Sequence, residues 1–511
     1  MTHTVQAGTG TLDLDNGTRR DREFLYRGIA ALLFAAASGA GVAIFEATGV
    51  AVVLGIAVGA VSLFMPLQRL IALLLLAAFL LMGQLLYFAR IKEALWIPFL
   101  LGLVLLMRYP AELIRRSSRK SMQPSIMPAQ SPAVSLLLAA YFAIVIGGTL
   151  IHLNSPMQIF VSAKEYFFLW GLYLVIAAGL VSPGMLQRIW HLLPWLLPLQ
   201  VPLVLYQRFV VADRRAVENL GAKWDAVVGA FGGNPDSGGS SGAMGLFVVF
   251  AITLVITRWR EGQVRTAHCA VIVLSGLAAI LLAEVKFAVF ILPVAIAVAS
   301  SREFVTRPMA AVAWTVVAAS LAGGLFLAYK AQYSNAYQDA KHGGYMESVF
   351  SASADPDFIN LSTREIGRTA AIKFWATQQT HSVDMLVGHG MGASRKGSMV
   401  TGDVAARWPF HIARSALAIL LWETGILGTA AFIFALVAAG VRARRLAVSK
   451  TIPRTEQSVL AACAAGLVML IFELPYNTDM FYSPQIQILL MLMLGQIAVS
   501  GGRTALEPER Q

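Results

Sequence analysis

Hydrophobic positions along this chain do not recur with the spacing of one helix face; they run on almost unbroken and stop at short polar breaks. Most runs approach the roughly 17 to 25 residues that a helix needs to cross a hydrocarbon core. Spans are predicted near residues 27–46, 49–66, 70–88, 94–107, 133–151, 166–181, 189–211, 243–257, 267–283, 286–300, 309–328, 411–440, 457–474 and 484–500. Backbone groups inside a bilayer must be paired within a helix or a closed barrel, and runs this continuous predict helices. The expected fold is an all-α integral membrane protein of about 12–14 transmembrane helices, with one large polar loop that contains short helices. Its divisions would be a tail at 1–26, the first eleven spans within 27–328, a polar loop at 329–410, three final spans within 411–500 and a tail at 501–511.

Composition agrees with that pattern. Hydrophobic residues make up 57% of the 511 and charged residues only 13%, with a mean hydropathy of +0.67. A soluble domain carries about 25% charged residues, so the expected surroundings are a lipid bilayer. The net charge of +12 raises nucleic acid as a partner, but the placement of the basic residues argues against it. Arg19, Arg20, Arg22 and Arg27 precede the first span, and Arg115, Arg116, Arg119 and Lys120 follow the fourth. Arg258, Arg260 and Arg265 follow the eighth, and Arg442, Arg444 and Arg445 follow the twelfth. If the spans alternate, all four clusters fall on one side, which the positive-inside rule makes cytoplasmic, together with both termini. The same alternation puts 329–410, the basic loop at 212–242 and the short loop at 475–483 outside. Met1–Asp15 is polar and has no apolar signal-peptide core, so no cleaved leader is expected. Cys269 and Cys463 both fall in spans and read as packing residues.

Candidate chemistry concentrates in the outer segments, since the spans themselves are nearly free of charge. Ser362-Thr363-Arg364-Glu365 has the form of a capping box, which predicts a helix from about Thr363 with Arg364 and Arg368 on one face. Two cations at a helix N-terminus oppose its dipole and repel each other, and a bound anion would relieve both penalties; the alternative is a solvated basic face. Gly388-His389-Gly390-Met391-Gly392 reads as a tight turn, because the lysine of a phosphate-binding loop is missing. His411 is expected to open the next helix, where an imidazole could carry a proton or simply be an interfacial polar residue. Glu284 and Lys286 stand between two apolar runs, as a hairpin turn or as a charged pair lining a site. Gly229–Gly239 is too rich in turn formers for regular structure and reads as an outer loop re-entering the membrane. Arg208, Arg214, Arg215 and Lys223 precede it. Basic residues on the outer side call for an anionic ligand, and Arg208, Lys223, Glu284, Lys286, Arg395, Arg407 and Arg414 are the candidate binding residues. Asp355-Pro356-Asp357 has metal-ligand spacing, but proline separates the acids and further ligands are missing nearby, so neither a metal site nor a cofactor is expected.

Several of these pieces together resemble the superfamily of bacterial O-antigen ligases and of O-antigen and exopolysaccharide polymerases. Gly229-Ala230-Phe231 with Asn234-Pro235-Asp236 is similar to that family's Gly-x-Phe-x-x-Pro-Asn segment. Arg368 stands about twenty residues before a Gly-x-Gly turn, a histidine follows at the next helix, and Glu423-Thr424-Gly425-Ile426-Leu427-Gly428 reproduces a Glu-x-Gly-x-x-Gly motif. The chain departs from the family pattern in three places. Ile412 follows His411 where asparagine is common; Lys223 stands in for an arginine; and Glu284-x-Lys286 replaces a Ser-Arg pair, as in exopolysaccharide polymerases.

The resemblance implies a GT-C-like enzyme of the bacterial inner membrane, with the large loop in the periplasm. It would take a glycan from a polyprenyl-diphosphate carrier and add it to a saccharide or lipid A core acceptor, with a chain-length regulator protein as a further partner. Arg364 and Arg368 would hold the diphosphate and His411 would orient or deprotonate the acceptor, making these three the expected catalytic residues. The alternatives are a ligase acting on lipid A core and a flippase or transporter of lipid-linked glycans.

Overall fold

A computed structural model of the chain describes residues 61–119, 131–212, 226–234, 238–301, 354–361, 364–379, 381–397 and 400–504, with isolated positions besides. It divides into Met1–Met65, in which 59 and 61–65 are described, and Pro66–Gln511. The expected span at 27–46, most of those at 49–66 and 309–328, Lys223, the tail at 1–26 and most of the tail at 501–511 lie outside the described residues.

Among the described residues of Pro66–Gln511, nine helices are long and apolar enough to cross a membrane. They are α1 (Leu67–Tyr87), α2 (Lys92–Arg116), α3 (Pro132–Ile151), α4 (Pro156–Ala177), α5 (Pro183–Val211), α6 (Ser241–Arg260), α11 (Ala416–Ala447), α12 (Arg454–Glu473) and α13 (Pro484–Gly502). Two shorter apolar helices, α7 (Thr266–Leu282) and α8 (Lys286–Ala299), complete the bundle. The protein is therefore an all-α, multi-pass membrane protein. Local chemistry sets several starts: α3, α4, α5 and α13 each begin at a proline that follows a serine. Proline suits the first helical turn, where its missing amide costs nothing. Ser155 and Ser182 also accept from the amides of Gln158 and Met185.

α13 is the most enclosed span, with 94% of its apolar window buried, and it packs against α4. α6 lies against α7, α8 and α12, while α11 is flanked by α3 and α12. Cys269 and Cys463 are buried and unlinked, as packing residues should be.

The ends of the bundle differ. At one end, basic residues bind backbone and hydroxyl groups: Arg116 donates to the Ala178 carbonyl (2.6 Å), Arg258 to that of Trp190 (3.2 Å) and Arg260 to Ser300 Oγ (2.6 Å). They come from two of the four arginine clusters expected to share a side. The other end carries a polar cap built from the 354–414 region. A short antiparallel strand pair, Ile359–Asn360 with Glu365–Ile366, leads into α9 (Arg368–Gln378) and α10 (Ser382–Val387). Ile366, Ala371, Trp375, Phe410 and Ile412 of the cap form one buried cluster with Ala418, Leu421 and Trp422 at the start of α11.

Candidate functional site

The cap and the bundle are joined at a break in α11. Gly425 has φ 62° and ψ −167°, a conformation that interrupts the helical ladder. In a straight helix the carbonyls of Trp422 and Glu423 would pair with the amides of Ile426 and Leu427. Here they accept from His389 N (2.9 Å) and Gly390 N (3.0 Å) of the glycine turn. The approach is so close that a Cβ on Gly388 would stand 2.4 Å from the Glu423 carbonyl carbon and the Thr424 nitrogen. One on Gly425 would stand 2.4 Å from the Leu386 carbonyl. Gly388-His389-Gly390 and the Glu-x-Gly-x-x-Gly motif are thus two halves of one joint.

Glu423 anchors this joint. Its carboxylate accepts from Gly392 N (2.7 Å), Ser394 Oγ (2.6 Å), Ser394 N (3.3 Å) and the Tyr166 hydroxyl (2.8 Å). Beside it, Arg395 donates to Glu165 of α4, and Lys164 Nζ lies 3.6 Å from the same Glu165 oxygen. The Arg395 guanidinium also faces the Tyr482 ring at 5.7 Å, and Lys164 covers the Trp96 ring at 4.6 Å. Glu165 raises the Arg395 pKa against the opposing effect of burial, which is the largest influence on it. Arg395, expected as a ligand-binding residue, is therefore committed to a buried carboxylate. The expectation that the spans are nearly free of charge is corrected here. α4 begins at Pro156 instead of 166 and takes Lys164 and Glu165 into the bundle, because Glu165 is countered by Arg395 of the cap and by Lys164 beside it.

A second group of charges gathers around Tyr476, in the 474–483 connection between α12 and α13. The main chain of that connection caps α11: Ala416 N donates to the Asn477 carbonyl and Leu417 N to that of Leu474, both at 2.7 Å. Arg368 Nε donates to the Tyr476 carbonyl, and its guanidinium lies over the Tyr476 ring at 4.2 Å. Phe287, next to Lys286, stacks on the same ring at 4.7 Å. Burial lowers the Arg368 pKa most; Tyr476 opposes that shift, and the neighbouring Arg414 adds to it. The Arg368 guanidinium thus lies on an aromatic platform at the mouth of the bundle, with Arg414 near enough for its charge to act on it. Glu284 and Lys286 form the turn between α7 and α8, with Nζ 3.2 Å from Oε1 and Glu284 at φ 51°. They are both a hairpin turn and a charged pair, and Phe287 ties that turn to Tyr476. Gly242 at the start of α6 meets Asn477 and Asp479 of the same connection. Burial raises the Asp479 carboxyl to about 7.

The segment before α6 re-enters the bundle, as the turn-forming residues suggest. Ala226–Gly232 is buried. Gln207 accepts from Val228 N and Gly229 N and donates to the Gly229 carbonyl, Gln200 accepts from Ala230 N, and Gln485 donates to the Phe231 carbonyl. Side-chain amides here supply the pairing that irregular backbone needs inside a bundle. Arg208, half-buried in α5, follows Gln207 directly.

Two sequence expectations change. The helix after Ser362-Thr363 begins at Arg368, because Glu365–Ile366 pairs as a strand with Ile359–Asn360 and Ile366 is buried in the cap cluster. Arg364 is exposed in the hairpin turn at φ 56°, so it does not stack above Arg368 on a helix; Ser362 and Thr363 themselves lie outside the described residues. His411 does not open a helix either. α11 starts at Ala416, capped by Ser415 Oγ, and His411 is exposed in an irregular stretch between buried Phe410 and Ile412. Arg407 is exposed and close enough to His389 to depress its pKa, a shift that burial dominates. Of the acids in Asp355-Pro356-Asp357, Asp357 pairs with Lys373 at 2.5 Å.

Of the expected site residues, then, Arg368, Arg414 and the Glu284–Lys286 turn share one neighbourhood, whereas Arg395 belongs to the joint and Arg364 to an exposed turn. Sequence reasoning missed Tyr476, Asn477, Asp479, Lys164 and Glu165. The only signal for the 474–483 residues was their position in a short outer loop rich in polar groups. No known family model matches the chain, and no characterised protein matches it in sequence.

Proposed function

We propose that the protein is an inverting glycosyltransferase of the bacterial inner membrane that polymerises glycan units carried on a polyprenyl diphosphate, working at the periplasmic face. The observation that carries this reading is Arg368 lying over the Tyr476 ring where the cap meets the bundle, with the charge of Arg414 acting on it. Guanidinium groups suit phosphate oxygens by their bidentate geometry, and an anion bound beside two like charges lowers their repulsion. The apolar bundle beneath accounts for a lipid-borne substrate, and the cap end is the face opposite the basic clusters, which the positive-inside rule assigns to the cytoplasm. The resemblance read from the sequence supports the same activity.

In this reading Arg368 and Arg414 bind the diphosphate and stabilise the charge that builds on it as the bond from the sugar C1 to the phosphate oxygen breaks. His411, three residues before Arg414 and exposed, takes the proton of the acceptor hydroxyl as its oxygen attacks C1 from the opposite side. Losing one donor to a developing anion typically costs about 2.7–4 kcal/mol of barrier. Arg368→Ala should therefore lower transfer by roughly 100- to 1,000-fold. The test is incubation of purified protein with mass-tagged lipid-linked repeat units. Chain growth without lipid A, lost in Arg368→Ala and His411→Ala, supports a polymerase. Transfer only after lipid A core is added supports a ligase, and unchanged product formation in both variants removes the catalytic assignment.

A further inference from the structure

The cap is also tied to α3 by three side chains that the transferase reading does not use. His152 immediately follows α3, Asp384 lies in the first turn of α10, and His389 sits in the glycine turn. One ligand-type atom from each lies within 4.8 Å of the others. His152 Nε2 is 3.5 Å from Asp384 Oδ1, and the two imidazole rings are 5.2 Å apart and tilted by 50°. We infer that His152, Asp384 and His389 form a binding site for a divalent transition-metal ion of the zinc class, which staples the cap to the membrane bundle.

Three features support this site. First, His152 Nε2 is buried and has no hydrogen-bond partner, an orphan polar atom of the kind that usually signals a missing partner. A His–carboxylate hydrogen bond would bring the atoms to about 2.7–3.2 Å, closer than they stand. Two ligand atoms held about 2.0–2.2 Å from one tetrahedral ion, by contrast, lie roughly 3.3–3.6 Å apart. Second, the backbone fixes all three carriers before any ion arrives. His152 N donates to Gly148 O (3.1 Å), Gly388 N to Asp384 O (2.9 Å) and His389 N to Trp422 O (2.9 Å). A Cβ on Gly148 would come within 3.0 Å of the Val387 carbonyl, so α3 meets the cap at backbone distance. Third, the donor set is selective. Two imidazoles and one carboxylate suit zinc, cobalt or nickel, whereas calcium and magnesium prefer oxygen ligands throughout. Three protein ligands leave a fourth position for water.

The site holds the glycine turn that closes the α11 break, so metal binding should stiffen the cap. This inference does not rest on the transferase reading. The test uses the full chain in detergent, without a polyhistidine tag, stripped with chelator and titrated with Co²⁺. Wild type should take up one equivalent, show the visible absorption of four-coordinate cobalt, lose it when Zn²⁺ is added, and gain thermal stability with either ion. His152→Ala and Asp384→Asn should weaken uptake by roughly 100-fold or more, since losing even an outer partner of a ligand costs about 10- to 100-fold. His381→Ala, an exposed histidine at the start of α10, should change nothing. Metal-free melting temperatures close to wild type show that the variants are folded. If wild type binds no more cobalt than the His152→Ala/His389→Ala double variant, or if His381→Ala abolishes binding, the site does not exist.

Discussion

Arg395 and Arg368 both come from the cap, yet their surroundings differ in kind. Arg395 is inserted between the cap and α4, where Glu165 opposes its charge and Glu423 organises the adjacent backbone. Arg368 meets a carbonyl oxygen, the face of Tyr476 and the like charge of Arg414. The first arrangement pairs a cation with a buried acid; the second sets a cation on an aromatic face, where the proposed function puts an anionic ligand. Basic residues in one polar loop thus divide into a structural lock and a proposed binding pair, a division that loop position alone does not reveal.

The contrast can be broken most sharply on the lock. Glu165→Ala leaves Lys164 and Arg395 close together in the interior without their carboxylate, and removing one partner of a buried ion pair costs about 3–5 kcal/mol. A melting curve should show a large loss of stability; a shift of only a degree or two would place these charges in water. On the binding pair, Arg368→Ala should keep most of its melting temperature while losing transfer, so comparing it with Arg395→Ala in both assays separates the two roles. If both variants lose stability equally, the division fails.

The joint between the two regions gives a third prediction. Gly388→Ala forces a side chain into a φ of 72° and against the α11 backbone, a strain of roughly 1–3 kcal/mol. Limited proteolysis should then cut the cap faster than in wild type. Wild-type cleavage rates would mean that the glycine turn does not dock on α11.

The smallest effect concerns pH. Burial keeps the Asp479 carboxyl protonated up to about 7 in the folded state, whereas an unfolded aspartate ionises near about 4. The folded state therefore holds more protons across that window, and stability falls as pH rises from about 4 to about 7. Asp479→Asn should flatten that part of the melting-temperature profile, and an unchanged slope would assign it to other groups.

Much of the bundle was legible because lipid imposes one simple rule on sequence: apolar runs of spanning length become helices. The helices from α1 to α8 and from α11 to α13 coincide with expected spans, and Ala226–Gly232 is buried in the bundle, but Gly233–Asn234 pairs with Gly238–Gly239 as short strands where no regular structure was expected. The exceptions arise where distant charges meet. The start of α4 was misplaced because Lys164 and Glu165 look like a boundary until Arg395, 230 residues away, neutralises the acid. The capping box failed because local preference at Glu365 lost to strand pairing and to burial of Ile366. Glu423-Thr424-Gly425 was visible as a motif, but its reason, a helix break closed by another loop's amides, exists only in three dimensions. Arg368 was legible as a candidate and Tyr476 beneath it was not, since a tyrosine in a short loop carries no signal until a guanidinium lies on it.

The central claim, that Arg368 and Arg414 form a diphosphate-binding pair while Arg395 is structural, is tested most directly by native mass spectrometry of the protein titrated with a polyprenyl diphosphate. Wild type and folded Arg395→Lys should retain one lipid with similar affinity, and Arg368→Ala and Arg414→Ala should each lose it by roughly tenfold or more, as expected for about 1.5–3 kcal/mol per charged hydrogen bond. Equal retention by Arg368→Ala and wild type would contradict the account.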